Sequence, residues 1–352
     1  MPHTIRFARS SIALAAALAA QSAFAQSVVV TRPDITTASG PETRTLNGVT
    51  FTNQGLVGAG RLDARTRDFN GDTLGSFSSA AINLATWRRN ANGGYSAVLY
   101  TLPDRGPNDV GNVVGTVNYF GRLHISNITF NPGNAATNLP QATASQNQVT
   151  ITPTGGFLLK DANGANFTGR DPGTGTITRG GIVYPSPASG PGAGLISLDA
   201  EAVAFRRDGS FYISDEYAAG IYYFGADGRQ IGAIQTVPAL LPVTAGATNF
   251  NSVAAPTSGR RNNQGLEGMT ISPTGNRLIT VLQSATVQDT NGSNQQTRNN
   301  TRVLVYDISS NATPARPVGH YVLQLPTFTQ AGSGAAVNRT AAQSEILALN
   351  DN

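Results

Sequence analysis

The sequence predicts an all-β fold built from small antiparallel sheets, and three observations support this prediction. Glycine (39 residues) and proline (19 residues) are abundant among 352 residues, and only 12% of the residues are charged. This composition is typical of many short strands joined by tight turns. No strongly amphipathic helical segment follows the N-terminal region. The third observation is an internal repeat, which indicates how the sheets are arranged.

Three stretches of the chain resemble one another, and each has a glutamate near its start. They are 199–205 with Glu201, 265–271 with Glu267, and 343–349 with Glu345. The first two continue in step through a glycine turn into a second strand. Such units indicate a solenoid or a propeller, because one small sheet cannot bury both faces without neighbours. The glutamates are further apart than the ~40–50 residues of common blades, so we expect a β-propeller-like fold with long inserted loops.

The repeated glutamates predict a metal site. In a propeller, the first residues of each innermost strand surround the central channel. Glu201, Glu267 and Glu345 would repel one another there, and each would raise the pKa of the others. Ca²⁺ prefers carboxylate and carbonyl oxygens and is the natural partner of such a set. The alternative is that these acids form structural ion pairs and cap strand ends.

The N-terminal 25 residues have the three parts of a secretory signal peptide. Arg6 and Arg9 precede an apolar run over 12–20, and Ala23-Phe-Ala25 forms a small-x-small cleavage site. The apolar run is too short to span a bilayer core of ~30 Å. We therefore expect cleavage after Ala25 and a mature protein that is secreted or periplasmic, with no membrane attachment.

The remaining chain is predicted to hold one domain. Residues 26–45 are polar and rich in turn residues, which predicts a mature N-terminal extension, and 46–352 form the propeller domain. The segments 131–150 and 170–194 are predicted to be exposed excursions. Strands are predicted at 95–102, 211–217, 221–224, 302–307 and 321–325.

Three loops share the form Asp-x-Asn-Gly. They begin at Asp68, Asp161 and Asp289. None has the glycine and the closing glutamate of an EF-hand loop. Asn-Gly is foremost a turn dipeptide, so these loops are interpreted as turns, with peripheral calcium binding as the alternative.

Composition excludes several classes of function. Loss of Arg6 and Arg9 with the leader lowers the formal charge from +4 to +2, so the charge predicts no nucleic-acid partner. The chain has no cysteine, and only His124 and His320 remain after the leader. A zinc site built on histidine and cysteine and a thiol nucleophile are therefore disfavoured. No Gly-x-Ser-x-Gly nucleophile elbow is present.

Carboxylates and arginines at predicted strand ends are the remaining candidates for chemistry. Metal-assisted hydrolysis of a phosphate ester needs such a set. Glu201, Glu267 and Glu345 would hold the cation with help from Asp104. Arg105 would bind the phosphate, and Asp215 or Glu216 would orient the attacking water. These roles follow from placement at strand ends alone.

Several motifs, in order, resemble the phytase-like family, also described by its esterase-like activity of phytase. They are Pro103-Asp-Arg-Gly106, Leu198-Asp-Ala-Glu201, Ser214-Asp-Glu-Tyr217, Asn262-Asn-Gln-Gly-Leu-Glu-Gly268, Gln283-Ser-Ala-Thr-Val-Gln-Asp289, Asn300-Thr-Arg302 with Tyr306-Asp307, and Ser344-Glu345. The resemblance covers residue 46 to the last residue. It implies a secreted β-propeller-like domain with phosphoesterase chemistry on phytate or a related small organic phosphate. Arg302 is a second candidate for substrate binding.

The sequence departs from the family pattern in two places. Ala218-Ala-Gly220 replaces a Gly-Pro pair beside Asp215 and Glu216, and the sequence ends at Asn352 where relatives continue. We therefore expect the C-terminal part of the propeller to be missing from this sequence. Two other functions stay open: a noncatalytic extracellular binding propeller with a structural calcium ion, and a lactonase or carboxylesterase on the same fold.

Overall fold

The computed structural model describes residues 42–53, 58–60, 62–63, 65–75, 77–106, 118–132, 148–290, 298–327 and 342–351. The predicted signal peptide and almost all of the predicted extension 26–45 lie outside these residues, as does most of the excursion 131–150. Within them there are eighteen β-strands and two short 3-10 helices, Pro238–Leu240 and Val287–Asp289. No helix among the described residues is long and apolar enough to cross a membrane.

The strands are numbered in chain order. The first eight are β1 (Glu42–Leu46), β2 (Val49–Asn53), β3 (Phe77–Arg89), β4 (Tyr95–Pro103), β5 (Arg122–Phe130), β6 (Val149–Leu158), β7 (Thr176–Arg179) and β8 (Ile182–Pro185). The next six are β9 (Ala200–Phe205), β10 (Phe211–Asp215), β11 (Ile221–Phe224), β12 (Gln230–Ile234), β13 (Val243–Thr244) and β14 (Ala247–Thr248). The last four are β15 (Leu266–Ile271), β16 (Arg277–Leu282), β17 (Asn300–Asp307) and β18 (Gly319–Gln324).

Three four-stranded sheets form the body of the fold. Each is an antiparallel meander in which consecutive strands pair: β3–β6 form blade A, β9–β12 form blade B and β15–β18 form blade C. The sheets are open rather than closed into a barrel. The all-β, β-propeller-like fold predicted from the sequence is confirmed, and the repeat unit of strand, glycine turn and strand is observed as β9–β10 and β15–β16.

The five strands predicted individually are present as β4, β10, β11, β17 and β18, within one or two residues at most ends. The prediction for 170–194 is corrected, because this segment contains the hairpin β7–β8 and is not only an exposed excursion. Ile177 and Ile182 pack against the core, and Tyr184 is buried in it. The glycines and prolines of this stretch concealed two strands of four residues each.

Blade B lies between the other two blades because its central strands are apolar on both faces. Successive side chains of a strand point to opposite faces. Tyr212 accordingly joins a core shared with Leu266 and Leu278 of blade C, whereas Phe211 and Ile213 join a core that contains residues of blade A. Burial of each such side chain contributes about 1.5–3 kcal/mol. This packing brings the innermost strands β3, β9 and β15 together, with β9 against both others.

Each innermost strand carries a β-bulge near its start. The register shifts between Phe77 and Ser79 in β3, and between Leu266 and Gly268 in β15. The pairing of β9 with β10 shifts in the same region, opposite Ser214. Bulges leave one residue out of the hydrogen-bond ladder and re-aim its side chain, often next to a functional site. Ser78, Glu201 and Glu267 therefore occupy corresponding places in the three blades.

The loop that begins at Asp68 is anchored to blade A by a buried arginine. Arg122 Nη1 donates to Asp68 Oδ2 (2.5 Å) and Asp72 Oδ2 (2.9 Å), and the guanidinium carbon lies 3.7 Å from the ring centroid of Tyr119. Asp68 Oδ1 accepts hydrogen bonds from the N–H groups of Asn70 and Asp72. These bonds confirm the turn interpretation for this loop.

The second Asp-x-Asn-Gly loop repeats the same turn geometry. Asp161 Oδ1 accepts from the N–H groups of Asn163 and Ala165, both at 2.9 Å. The third loop lies partly outside the described residues. His124 is buried on β5 with its Nε2 3.2 Å from Asp68 Oδ2, and burial lowers the pKa of its imidazole. It is a structural residue of the loop anchor.

Candidate metal-binding active site

A group of acidic residues collects at the end of the propeller where the innermost strands begin and the second strands end. The pairs Phe77–Pro103, Ala200–Asp215 and Leu266–Leu282 bring these strand ends together in the three blades. The acidic residues are Asp104 after β4, Asp199 before β9, Glu201 within β9, Glu216 after β10 and Glu267 within β15.

The five carboxylates form two overlapping groups that share one residue. Oxygen atoms of Asp104, Asp199 and Glu201 lie within 4.8 Å of one another, and the same holds for Glu201, Glu216 and Glu267. All are buried except Asp104, which is partly exposed and marks the open side. Glu201 belongs to both groups because it sits on the central innermost strand.

Burial and mutual repulsion disfavour the ionised forms of these acids. Burial raises the pKa of Glu267 to about 9, with further contributions from Glu216. Burial also raises the pKa of Glu201 well above its usual value, helped by the charges of Glu216 and Glu267. The pKa of Asp199 is raised by burial and then by Asp104 and Glu216. Without a cation, the group therefore holds protons that an isolated surface acid would release.

Asp199 is both paired and partly unsatisfied. Its Oδ2 accepts a hydrogen bond from Arg105 Nη1 at 2.6 Å, and the Arg105 side chain remains 13% exposed. Its Oδ1 is buried and has no hydrogen-bond partner. Arg105 therefore lies between the acidic interior and the open side, while one carboxylate oxygen of Asp199 offers lone pairs that no donor takes up.

Asp215 has its acceptor positions filled by the protein. Its Oδ1 accepts from the N–H groups of Asp199 (3.0 Å) and Tyr217 (3.3 Å), and its Oδ2 accepts from Ala218 N–H (2.8 Å) and the Tyr222 hydroxyl (3.1 Å). Burial raises the pKa of Asp215 to about 6, and these hydrogen bonds limit the rise. Asp215 therefore fixes the turn that carries the neighbouring acids.

Glu216 directs its carboxylate toward blade C. Its N–H donates to Asp199 O at 2.8 Å, and its Oε1 accepts a long hydrogen bond from Gly265 N–H at 3.3 Å. The side chain of Glu267 is held by Gln283, whose Nε2 donates to Glu267 Oε1. Glu216 thus keeps more acceptor capacity for a ligand or a water molecule than Asp215 does.

Two glycines allow the site to assemble, and the sequence analysis assigned no role to either of them. A Cβ atom at Gly265 would lie 2.4 Å from Glu216 Cα, and one at Gly169 would lie 1.8 Å from Arg105 O. In both cases the obstacle is backbone, which cannot rotate away. The position of Gly265 directly before Leu266 and Glu267 was a signal within the repeat, whereas Gly169 had none.

Ser78 was also missed, because the first blade does not share the repeated glutamate. It occupies the corresponding bulge position of β3, and its side chain hydrogen-bonds to Glu201. Blade A therefore supplies a hydroxyl where blades B and C supply carboxylates. Only the three-dimensional register makes this correspondence visible.

Glu345 and Arg302, both expected to belong to the site, are members of neither acidic group. Glu345 lies beside β15. Its Oε2 accepts a hydrogen bond from Ser79 Oγ at 3.0 Å, and its Oε1 accepts one from Ile346 N–H at 3.1 Å. Arg302 is on β17, separated from β15 by β16. Its Nε and Nη2 each donate to the Asp289 carboxylate at 2.6 Å.

The donor set fits a hard divalent cation. Carboxylate oxygens are the ligands preferred by Ca²⁺, and several buried carboxylates are costly unless a positive charge compensates them. The unsatisfied Oδ1 of Asp199 is one such ligand atom. The absence of cysteine excludes thiolate ligands, and His124 is engaged with Asp68.

The fold and this acidic site place the chain among known proteins. The chain belongs to the phytase-like family, because the family model described as esterase-like activity of phytase matches residues 93–352. This confirms the resemblance predicted from the motifs.

A curated relative is also similar over most of the chain. It is a protein of Arthroderma benhamiae named "Uncharacterized secreted protein", 36% identical over 327 residues. The alignment covers 84% of this chain and 61% of the relative, so the chain spans less than two thirds of that protein's length.

Proposed function

We propose that this protein is a secreted, metal-dependent hydrolase of phosphate esters that acts at the acidic end of the propeller. The observation that carries the proposal is the convergence of Glu201, Glu216 and Glu267 beside a partly exposed arginine, Arg105. Membership of the phytase-like family supports hydrolase chemistry. The predicted leader supports secretion, and so does the name of the Arthroderma protein, which describes that protein as secreted.

The proposed metal ligands are the residues at the centre. Glu201 and Glu267 would hold the cation, Ca²⁺ by the chemistry of the donor set, and Glu216 would complete the group. Asp104 lies outside this group, next to Asp199 and Glu201 on the open side. When bound, such a cation polarises a phosphoryl oxygen and lowers the pKa of a coordinated water. Glu345 and Arg302 are left out of the proposed site, because each is engaged elsewhere.

The remaining roles fall to residues at the open side. Arg105 would bind phosphate oxygens through its guanidinium, which is suited to two parallel hydrogen bonds. Of the two acids predicted to orient water, Glu216 is the better candidate because Asp215 already accepts four hydrogen bonds. Asp215 would act as a positioning residue for Asp199 and for the turn 215–218.

The test is phosphate release from phytate and from an aryl phosphate, with EDTA and with added Ca²⁺. We expect release only with the metal, and Arg105→Gln should lower kcat/KM by about a hundredfold, the typical cost of losing one charged transition-state contact. The matched control is Arg207→Gln, which changes an exposed arginine in the turn between β9 and β10. Equal rates for Arg105→Gln and the control would contradict the proposed role.

A second candidate function has one observation in its favour. The site contains more carboxylates than arginines, and Arg105 is already paired with Asp199, so a neutral carboxylic ester or lactone would meet less repulsion than a phosphate. Calcium-dependent hydrolysis of such esters without phosphate release would favour this candidate. Calcium binding without hydrolysis of either ester class would instead favour a noncatalytic binding propeller.

A further inference from the structure

A second acidic group lies beside the group formed by Glu201, Glu216 and Glu267. It consists of Asp104, Asp199 and Glu201, with Asp104 on the open side and the other two buried. Only Glu201 is common to both groups. Glu201 therefore joins the two groups. Glu216 and Glu267 complete one group, and Asp104 and Asp199, next to Arg105, complete the other.

An unsatisfied oxygen in the second group points to a bound ligand. The Asp199 side chain is about 1% exposed, and no N–H group or hydroxyl group of the residues that the structure describes donates to its Oδ1. Its other oxygen already accepts from Arg105. A buried acceptor without a partner is rare because it loses the free energy of hydration with no replacement. The Asp104 carboxyl group can hydrogen-bond to Asp199 only while one of the two acids carries a proton, so ionisation of both leaves this oxygen without a partner.

The charges of the combined site also call for more than one divalent cation. Five carboxylates meet at the two groups, and Arg105 is the arginine that contacts them directly. When all five carboxylates are ionised, they and Arg105 leave four negative charges, of which one divalent cation compensates half. Arg260 adds a positive charge that acts on Glu216 first and then on Asp215 and Asp199, and Asp215 adds a negative charge, so the balance of four negative charges is unchanged.

We propose that Asp104, Asp199 and Glu201 form a second divalent-cation site, with Glu201 bridging this cation and the central one. A carboxylate can bridge two ions about 3.5–4 Å apart, the separation typical of two-metal phosphoesterase sites. The second ion uses the free oxygen of Asp199, lies on the side of Arg105, and completes the charge compensation that a phosphate dianion needs in order to enter. The role of this second ion in catalysis rests on the proposed function.

The test is titration of the metal-free chain with Mn²⁺, followed by electron paramagnetic resonance. The free-ion signal counts bound ions, and a pair bridged by a carboxylate gives an exchange-coupled spectrum that an isolated ion lacks. We expect two ions per chain with coupling. Asp199→Asn should retain one ion and lose the coupling, and Asp104→Asn, at the more exposed position, should do the same if Asp199→Asn fails to fold.

Asp208→Asn is the matched control, because it makes the same change at an exposed turn of blade B and should leave two coupled ions. One ion in the unmodified chain, or two ions that Asp199→Asn and Asp104→Asn leave coupled, would overturn the inference. Two coupled ions without phosphate release would leave it standing and contradict the proposed function. One bound ion per chain together with calcium-dependent phosphate release would overturn the inference and support the proposed function.

Discussion

Replacement of Glu267 by glutamine should stabilise the metal-free protein at neutral pH and destabilise the metal-bound protein. The pKa of Glu267 is raised from its usual 4.5 to about 9, by burial first and then by Glu216. In the metal-free folded chain the carboxyl group is therefore neutral at neutral pH, whereas it is ionised in the unfolded chain. Folding must bind a proton, and this costs free energy. The amide of Glu267→Gln avoids that cost and can still accept the hydrogen bond from Gln283.

The magnitude follows from proton linkage. A folded-state pKa above the unfolded value means that stability is fully present below pH 4.5 and is lost as the pH rises toward about 9. Each pH unit in that window costs about 1.4 kcal/mol, so at a pH of about 7 the folded chain has lost about 3 kcal/mol. Glu267→Gln should recover most of this free energy at neutral pH and almost none at a pH near 4.5.

The assay is urea unfolding of both proteins at several pH values, with EDTA and with saturating Ca²⁺. With Ca²⁺ the sign should reverse, because the substitution removes a ligand and a cation stabilises only the state that binds it. Asp208→Asn serves as a control for the loss of one exposed acid. A variant that is less stable than the unmodified chain in EDTA at neutral pH, or a difference that does not grow with pH, would refute the reasoning.

Three further predictions concern the loop anchor, the glycine at the site and proton release. Arg122→Met should lower the free energy of unfolding by about 3–5 kcal/mol, because it removes the arginine that compensates the buried charge of Asp68; a loss below about 1 kcal/mol in urea unfolding would contradict this. Gly265→Ala should lower kcat/KM for an aryl phosphate by about a hundredfold, because the new Cβ displaces Glu216, and unchanged kinetics would contradict the close approach. Ca²⁺ binding near neutral pH should release protons from the group containing Glu267, which calorimetry in buffers of different ionisation enthalpy measures; equal heats in all buffers would contradict it.

The parts of the fold that are set by local pattern could be predicted from the sequence. The repeat units at Glu201 and Glu267 are visible because strand, glycine turn and strand follow one another within about fifteen residues, and the turn chemistry is local. The hairpin β7–β8 was missed because glycines and prolines dominate its surroundings. Each of its two strands is only four residues long.

The composition of the site depended on contacts that no local pattern encodes. Glu345 matches the repeat in sequence, yet it accepts a hydrogen bond from Ser79 of blade A and lies beside β15. Arg302 is engaged by Asp289, which comes from a different loop. The convergence of Asp104 and Asp199 requires the ends of β4 and β9 to meet, and this depends on how blades A and B pack.

The most direct test of the central claim compares metal binding and turnover of Glu201→Gln with those of the unmodified chain, since Glu201 is shared by both acidic groups. Calorimetric titration with Ca²⁺ and phosphate release from an aryl phosphate would be measured on the same metal-free samples. The account predicts that the unmodified chain binds Ca²⁺ and releases phosphate only with Ca²⁺, and that Glu201→Gln, folded by circular dichroism, loses both. Undiminished Ca²⁺ binding by folded Glu201→Gln, or phosphate release by the unmodified chain in EDTA, would contradict it.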